Sequence, residues 1–283
     1  MEVKVRPARA ADKPPLMRFI KDVWGGHDYI PFVWDQWLRS KTGKMFVVLA
    51  DGVPVGMNRV RFLEDGSAWF EGARVHPDFR GRGLASMLGE NSMKLAAARG
   101  VTVFRLTSGS RNRAAHRQIS RIKFHEAARF SVYEPPKGRR LKPVGEPGRM
   151  GPGELETAMR LLKHAREFRL GGGVFWHDFT AAALSRRVVS GLLAEGGVWR
   201  DGDAVAISRT GGEGEGNWEE ICYLGGPAQN SMRLVRALIG RYKKAKERFV
   251  FVPQGSPLVN ALRKEGYVRN FSMMLFERRT AKG

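Results

Sequence analysis

The chain has 283 residues and carries 49 Lys+Arg against 28 Asp+Glu, a net charge of +21. That length suggests about two domains, and 42% hydrophobic with 10% aromatic residues excludes a globally disordered chain. No apolar run approaches the ~18–20 residues of a membrane span, the start Met1-Glu2-Val3-Lys4-Val5-Arg6 lacks the apolar core of a secretory signal, and a single cysteine, Cys222, leaves neither a disulfide framework nor a cysteine-based zinc site to be expected.

Val3 to Pro7 alternates and predicts a short strand. Ala11 to Trp24 has helical spacing, with Pro14 and Pro15 in the first turn, and Gly25-Gly26 breaks it. Ile30 to Leu38 predicts a second helix. Met45–Ala50 and Val53–Leu63 predict a hairpin about Asp51-Gly52, followed by a strand over Ala68–Val75. Gly83–Arg99 reads as a helix stopped by Gly100, Val101–Leu106 as a strand, Asn112–Ile122 as a helix and Ala127–Tyr133 as a strand. A Pro/Gly/basic stretch from Pro135 to about Gly153 reads as a linker, with Lys137–Lys142 a solvated connector or a nucleic-acid contact.

Beyond it, helices are expected over Leu155–Phe168, Thr180–Leu193, Ser231–Lys246 and Leu258–Lys264. Strands are expected at Gly197–Trp199, Ala204–Ser208, Trp218–Leu224, Phe249–Val252 and Phe271–Phe276, with an acidic Gly-rich loop at Gly211–Gly216. This order echoes the first half at an offset of 143, with Phe124 falling on Tyr267 and Glu134 on Glu277, so the second half is expected to be a degenerate repeat.

The charge is uneven, with eleven basic residues against two acids between positions 101 and 142. Such a field attracts polyanions: nucleic acid, an anionic membrane or a phosphate-rich small molecule.

The stretch Glu71-Gly72-Ala73-Arg74-Val75-His76-Pro77-Asp78-Phe79-Arg80-Gly81-Arg82-Gly83-Leu84-Ala85 carries the chemistry. A strand ends, a proline-led turn follows, and a Gly/Arg loop opens a helix whose first amides have no intrahelical acceptor. Glycines allow close approach of an anion, and Arg80 and Arg82 add charge-assisted donors, so the segment reads as a phosphate cradle. It is not a P-loop, since no Gly-Lys-Ser/Thr follows, and it lacks the third small residue of a dinucleotide fingerprint.

Arg80, Gly83 and Ala85, preceded by Val75-His76-Pro77, resemble the Arg/Gln-x-x-Gly-x-Gly/Ala motif of the GCN5-related N-acetyltransferase (GNAT) superfamily. Asn112, with Phe124 twelve residues on, agrees with that resemblance. The resemblance implies an α/β (α+β) fold of two tandem GNAT-like domains, each a mixed, mostly antiparallel sheet flanked by helices. The expected extents are 1–136 for the acetyl-CoA-binding domain, 137–153 for the linker and 154–283 for the degenerate copy. No second cradle stands at residues 225–233, so one acetyl-CoA per chain is expected. The resemblance further implies that backbone groups of Ala73, Arg74 and Val75 pair with the pantetheine arm like an added strand. Arg80, Gly81, Arg82, Gly83, Leu84, Ala85 and Ser86 then surround the pyrophosphate, and Asn112 contacts the cofactor.

The activity so implied is transfer of acetyl from acetyl-CoA directly to a primary amine, which needs a base, an oxyanion donor and an acid. Glu71, in an otherwise apolar strand, is expected as base or ammonium binder, or else as the structural partner of Arg74 or Arg59. The position where the family's acidic tyrosine usually sits is Ile119, and Lys123 replaces the glycine before Phe124. His116, one turn earlier, is a possible acid, with solvent, Tyr29 or Tyr133 as alternatives. The run Asp28-Tyr29-Ile30-Pro31 with Trp37-Leu38 resembles the histidine N-acetyltransferase-like branch. That implies a small-molecule amine substrate such as the α-amine of free histidine, with Asp28 and Tyr29 at the acceptor site; alternatively Asp28 caps a helix. The six histidines show no metal-ligand spacing, so no metal is expected. A cytoplasmic monomer or homodimer, not bound to membrane, completes the expectation. Acetylation of a protein or ribosomal N-terminus is the alternative, as is a non-catalytic acyl-CoA-binding or nucleic-acid-binding module, the latter without a supporting motif.

Overall fold

The computed structural model describes residues 1–137, 146–211, 217–242 and 244–281. The basic centre of the expected linker (138–145) and the acidic loop at 212–216 lie outside the described residues. The chain forms two compact units: Met1–Thr107, Asn112–His125 and Phe276–Gly283 make the first, and Ser108–Arg111 with Glu126–Leu275 make the second.

In the first unit β1 (Val3–Pro7), β2 (Gly43–Ala50), β3 (Val53–Phe62) and β4 (Ala68–Val75) pair antiparallel in that order. β5 (Val103–Gly109) runs parallel to β4. The β2–β3 turn is the expected Asp51-Gly52, both with positive φ (46° and 81°), which matches the twist of the flanking strands. α1 (Lys13–Ile20) and α2 (Ile30–Arg39) cover one face. Their Leu16, Ile20, Ile30, Val33, Trp34 and Trp37 recur at helical spacing and bury against Met45, Val47 and Met57 of the sheet. Fully burying one such side chain contributes about 1.5–3 kcal/mol. α1 ends at Ile20, short of the expected Trp24, and a separate 3-10 turn spans Val23–Gly26, where Gly25 and Gly26 take positive φ. α3 (Leu84–Ala97) and α4 (Arg113–Arg121) complete the helices of this unit.

The second unit holds β6 (His125–Glu134) from Glu126 on, β7 (Gly148–Arg149), α5 (Leu155–His164), α6 (Arg166–Leu170), β8 (Val174–His177), β9 (Thr180–Ala183) and α7 (Arg186–Ala194). β10 (Val198–Asp201), β11 (Ala204–Gly211), β12 (Trp218–Gly225), α8 (Ala228–Leu238), β13 (Glu247–Pro253) and α9 (Leu258–Lys264) follow. β7, β10, β11 and β12 pair antiparallel, β13 runs parallel to β12, and β6 is antiparallel to β13. The last strand, β14 (Val268–Arg279), gives Val268–Leu275 to the second unit and Phe276–Arg279 to the first, where Thr280 N–H donates to Thr102 O (2.9 Å).

Thr180–Ala183, expected to open a helix, is instead a strand paired with β8. Its alanines favour helix, but the hairpin buries Thr180, Ala181 and Ala182, and tertiary packing overrides propensity. The helix expected to reach Lys246 stops at Leu238, followed by Gly240 at positive φ.

The two units repeat one device. In each, a bulge interrupts an antiparallel pair, between Met57 and Arg59 in one and between Ile207 and Ser208 in the other. Beyond the bulge Arg59 faces Glu71, and Arg209 faces Glu220. Each bulged strand then runs parallel to the strand that follows the next helix. Both units are mixed, mostly antiparallel α/β structures.

Candidate active site

β4 and β5 pair at Ala68–Phe70 against Phe104–Leu106. β4 continues its ladder with β3 as far as Val75. Ala73 is exposed there, and Arg74 and Val75 are half-buried.

The strand leads into His76 and a 3-10 turn over Pro77–Phe79, closed where Asp78 N–H donates to His76 Nδ1 (3.3 Å). Gly81 and Gly83 both take φ of +79°, and a Cβ at either would have no neighbour within 4 Å. Gly83 is the left-handed N-cap of α3, and the first helical bond runs from Met87 N–H to Gly83 O (3.1 Å). The amides of Leu84, Ala85 and Ser86 therefore have no intrahelical acceptor and stand at the positive end of the helix. Arg80 and Arg82 are exposed beside them, Arg80 donating to Val75 O (3.3 Å) and Arg82 lying 5.4 Å over the Phe79 ring. These groups fit a pyrophosphate: open space, donors and positive charge converge where the chain turns into α3.

α4 is tied to this helix start, because Gln118 Nε2 donates to Ser86 Oγ. Asn112 caps α4, accepting Ala115 N–H (3.1 Å) through Oδ1 and leaving its amide nitrogen on an exposed side chain. Ile119 is buried at 7% exposure, so that position belongs to the core. His116 is half-buried, its ring 5.4 Å from Phe276. Tyr133, considered above as an acid, is fully buried in the second unit.

Gly72 explains how β4 meets α2. Its φ is +67°, and a Cβ there would lie 2.7 Å from the Trp37 ring, so the bulge brings backbone directly onto α2. Around Trp37 the charged groups form a chain. Arg59, 4% exposed, lies 4.6 Å over the Trp37 ring, donates to Glu71 Oε1 (2.8 Å) and reaches Ser40 Oγ (3.1 Å). Tyr29 packs edge-on against the same ring at 5.8 Å. Asp28 is buried; its Oδ2 accepts Arg74 Nε–H (2.6 Å), and its Oδ1 accepts Arg74 Nη2–H (3.2 Å) and Ile30 N–H (3.0 Å). Asp28 thus both accepts the first amide of α2 and orients Arg74, whose guanidinium lies 5.6 Å over Tyr29.

Two groups of expected residues therefore assemble, Asp28, Tyr29, Glu71 and Arg74 around Trp37, and Arg80 to Ser86 around the start of α3, while Asn112 caps α4. Ser40 and Gln118 were not singled out from sequence. Nothing local marks them, since each acts only through a partner from a distant element.

Fold and site together define a protein of the GNAT fold. Over the whole chain it is similar to a GCN5-related N-acetyltransferase from Sphaerobacter thermophilus, with a TM-score of 0.62, 16% identity, and coverage of 98% of this chain and 95% of that one. A putative acetyltransferase from Pyrococcus horikoshii is similar at a TM-score of 0.58 and 15% identity, covering 99% of this chain and 90% of that one. Residues 12–124 match the acetyltransferase (GNAT) family. In sequence it is similar to histidine N-acetyltransferase of Xenopus tropicalis (36% identity over 88 residues, 30% of this chain and 27% of the relative). It is also similar to probable N-acetyltransferase 16 of Homo sapiens (27% over 199 residues, 63% of this chain and 53% of the relative). The match thus spans about a quarter of one relative and half of the other. No helix among the described residues is long and apolar enough to cross a membrane.

Proposed function

We propose that this protein is an acetyl-CoA-dependent N-acetyltransferase acting on a primary amine of a small molecule, foremost the α-amine of a free amino acid such as histidine. The observation that carries the reading is β4 itself: one strand holds the Arg59-paired Glu71 and leads from its ladder with β5 into the glycine turn that opens α3. The similarity to proteins named histidine N-acetyltransferase supports the choice of acceptor.

Bound acetyl-CoA supplies an acetyl thioester, an electrophile for an amine. The amides from Gly81 to Ser86 hold the pyrophosphate, and Arg80 and Arg82 neutralise its charge. Backbone groups of Ala73, Arg74 and Val75 hold the pantetheine arm as an added strand, and Asn112 donates to it. Glu71 takes the proton of the acceptor ammonium, with Arg59 and Trp37 fixing its carboxylate in place. Tyr29 and the Asp28–Arg74 pair form the acceptor wall. His116 holds the ring proton for the departing sulfur. The protein works without a metal in this reaction, in the cytoplasm, as a monomer or homodimer.

Free-thiol release measured across amino acids, polyamines and peptides tests the proposal. Histidine or a related amino acid should turn over fastest. Glu71→Gln should lower kcat by about 10²–10⁴-fold, the usual contribution of a general base, with acetyl-CoA affinity unchanged. Unchanged turnover in Glu71→Gln removes Glu71 as the base. Acetyl-CoA binding without turnover of any amine would make the protein a binding module.

A further inference from the structure

The second unit contains a cluster that plays no part in the reaction above. β8 and β9 form a two-residue hairpin, His177 facing Thr180 with Asp178 and Phe179 at its tip. Both tip residues take positive φ, 46° and 55°. Such a turn favours Asn and Gly, and a phenylalanine there persists only where its surroundings hold it. Here they do: the Phe179 ring packs against Trp218, Phe249, Phe251 and Phe271 at centroid distances of 5.8–6.3 Å. Thr180 Oγ1 braces the turn by donating to His177 O (2.7 Å).

The pinned tip lays His177 against β12. Its Nδ1 is 3.1 Å from Glu220 Oε2, which also accepts Asp178 N–H (3.3 Å). Cys222, two residues along the strand, places Sγ 3.8 Å from the same carboxylate oxygen. One nitrogen, one oxygen and one sulfur thus lie within 4.8 Å of one another. Metal–ligand bonds of about 2.0–2.3 Å at tetrahedral angles put such donors roughly 3.3–3.7 Å apart, close to the 3.1 and 3.8 Å that separate Glu220 Oε2 from His177 Nδ1 and Cys222 Sγ. Glu220 is 0% exposed, and its second oxygen, Oε1, has no hydrogen-bond partner among the described residues; neither has Asp178 Oδ1. A carboxylate that deep, half of it unsatisfied, is costly without a cation. Asp178 Oδ2 lies 3.6 Å from the other ring nitrogen of His177, on the side where metal-bound histidines commonly keep a carboxylate. The side chains of His177 and Asp178 are 22% and 19% exposed, which gives an ion a way in from solvent.

We infer that His177 Nδ1, the Glu220 carboxylate and Cys222 Sγ form a binding site for a divalent transition-metal ion of the zinc class, with Asp178 orienting the histidine. Imidazole, carboxylate and thiolate together suit zinc or cobalt and not magnesium or calcium. Binding releases the Cys222 thiol proton to water, and the two ligand charges then balance the ion's. Glu220 sits at the place in β12 that Glu71 holds in β4.

The test is a Co²⁺ titration of the full chain after treatment with a chelator, read by absorbance and by metal stoichiometry. One equivalent should raise a thiolate-to-cobalt charge-transfer band, and one equivalent of Zn²⁺ should abolish it. Cys222 is the sole cysteine, so the band in the unaltered chain identifies the ligand without any variant. His177→Gln should weaken Co²⁺ binding at least tenfold, and Cys222→Ser should remove the band. Absence of the band in the unaltered chain, or His177→Gln binding with unchanged affinity, overturns the site.

Discussion

Gly72 is a single position on which two requirements meet. It needs a left-handed backbone, and it has no room for a Cβ beside Trp37. Gly72→Ala should therefore cost about 1–3 kcal/mol in urea unfolding and displace Glu71, its chain neighbour, so that turnover falls more than stability explains. Wild-type turnover in the variant would show that the close approach to Trp37 does not set the site. Asp12, at the start of α1, is buried, which by itself raises a carboxyl's pKa; the Arg6 hydrogen bonds and the Arg9 amide outweigh this and hold it below the ordinary carboxylate range. Its contribution to stability is then fully present above the unfolded value of about 3.9 and lost as pH falls through the lower folded value. The stability gap between the native chain and Asp12→Asn should be widest near neutral pH and close progressively in acid. A gap independent of pH would rule out this origin. Residue types and turn glycines were visible in the sequence. For Glu71 the sequence offers Arg59 and Arg74 without a choice between them, and for Asp28 it offers no partner, because Arg59 and Arg74 lie 12 and 46 residues away and meet them across strands and loops.

At the scale of elements, the cradle is the best example of local legibility. A proline-led turn, glycines at positive φ and a helix start all follow from short-range backbone preferences, and the structure shows all three between Val75 and Leu84. Gly83→Val places a β-branched residue at φ +79°, costing about 1–2 kcal/mol at the start of α3. Acetyl-CoA should bind at least tenfold more weakly by calorimetry, with secondary structure retained by circular dichroism. Unchanged affinity would place the pyrophosphate elsewhere. The element that misled was Thr180–Ala183, where alanines favour helix but a hairpin partner claims the backbone. The register of β4 against β5, Ala68–Phe70 facing Phe104–Leu106, is equally invisible in sequence, since strand neighbours are chosen by packing and not by local pattern.

At the scale of the whole molecule, the first unit is completed by residues from the far end of the chain. Arg105, 3% exposed, is held by Asp65 (2.6 Å) and by Glu277 (2.7 Å), and residues 276–283 belong to that unit. Residues 1–136 produced alone should lack a cooperative unfolding transition. In the full chain Glu277→Gln should lower stability by about 1–3 kcal/mol, the range for a charge-assisted bond. A sharp transition in the isolated segment would show that the final residues are dispensable. By itself the sequence determined what depends on near neighbours: the order of most strands and helices, the hairpin at Asp51-Gly52 and the glycine turn that opens α3. Only the tertiary structure decided that the end of β14 joins the first unit, that Glu71 is tied to Arg59, and that His177, Glu220 and Cys222 meet. Backbone preference and hydrophobic period act over a few residues, whereas strand neighbours and buried charge partners are chosen by packing across the whole chain.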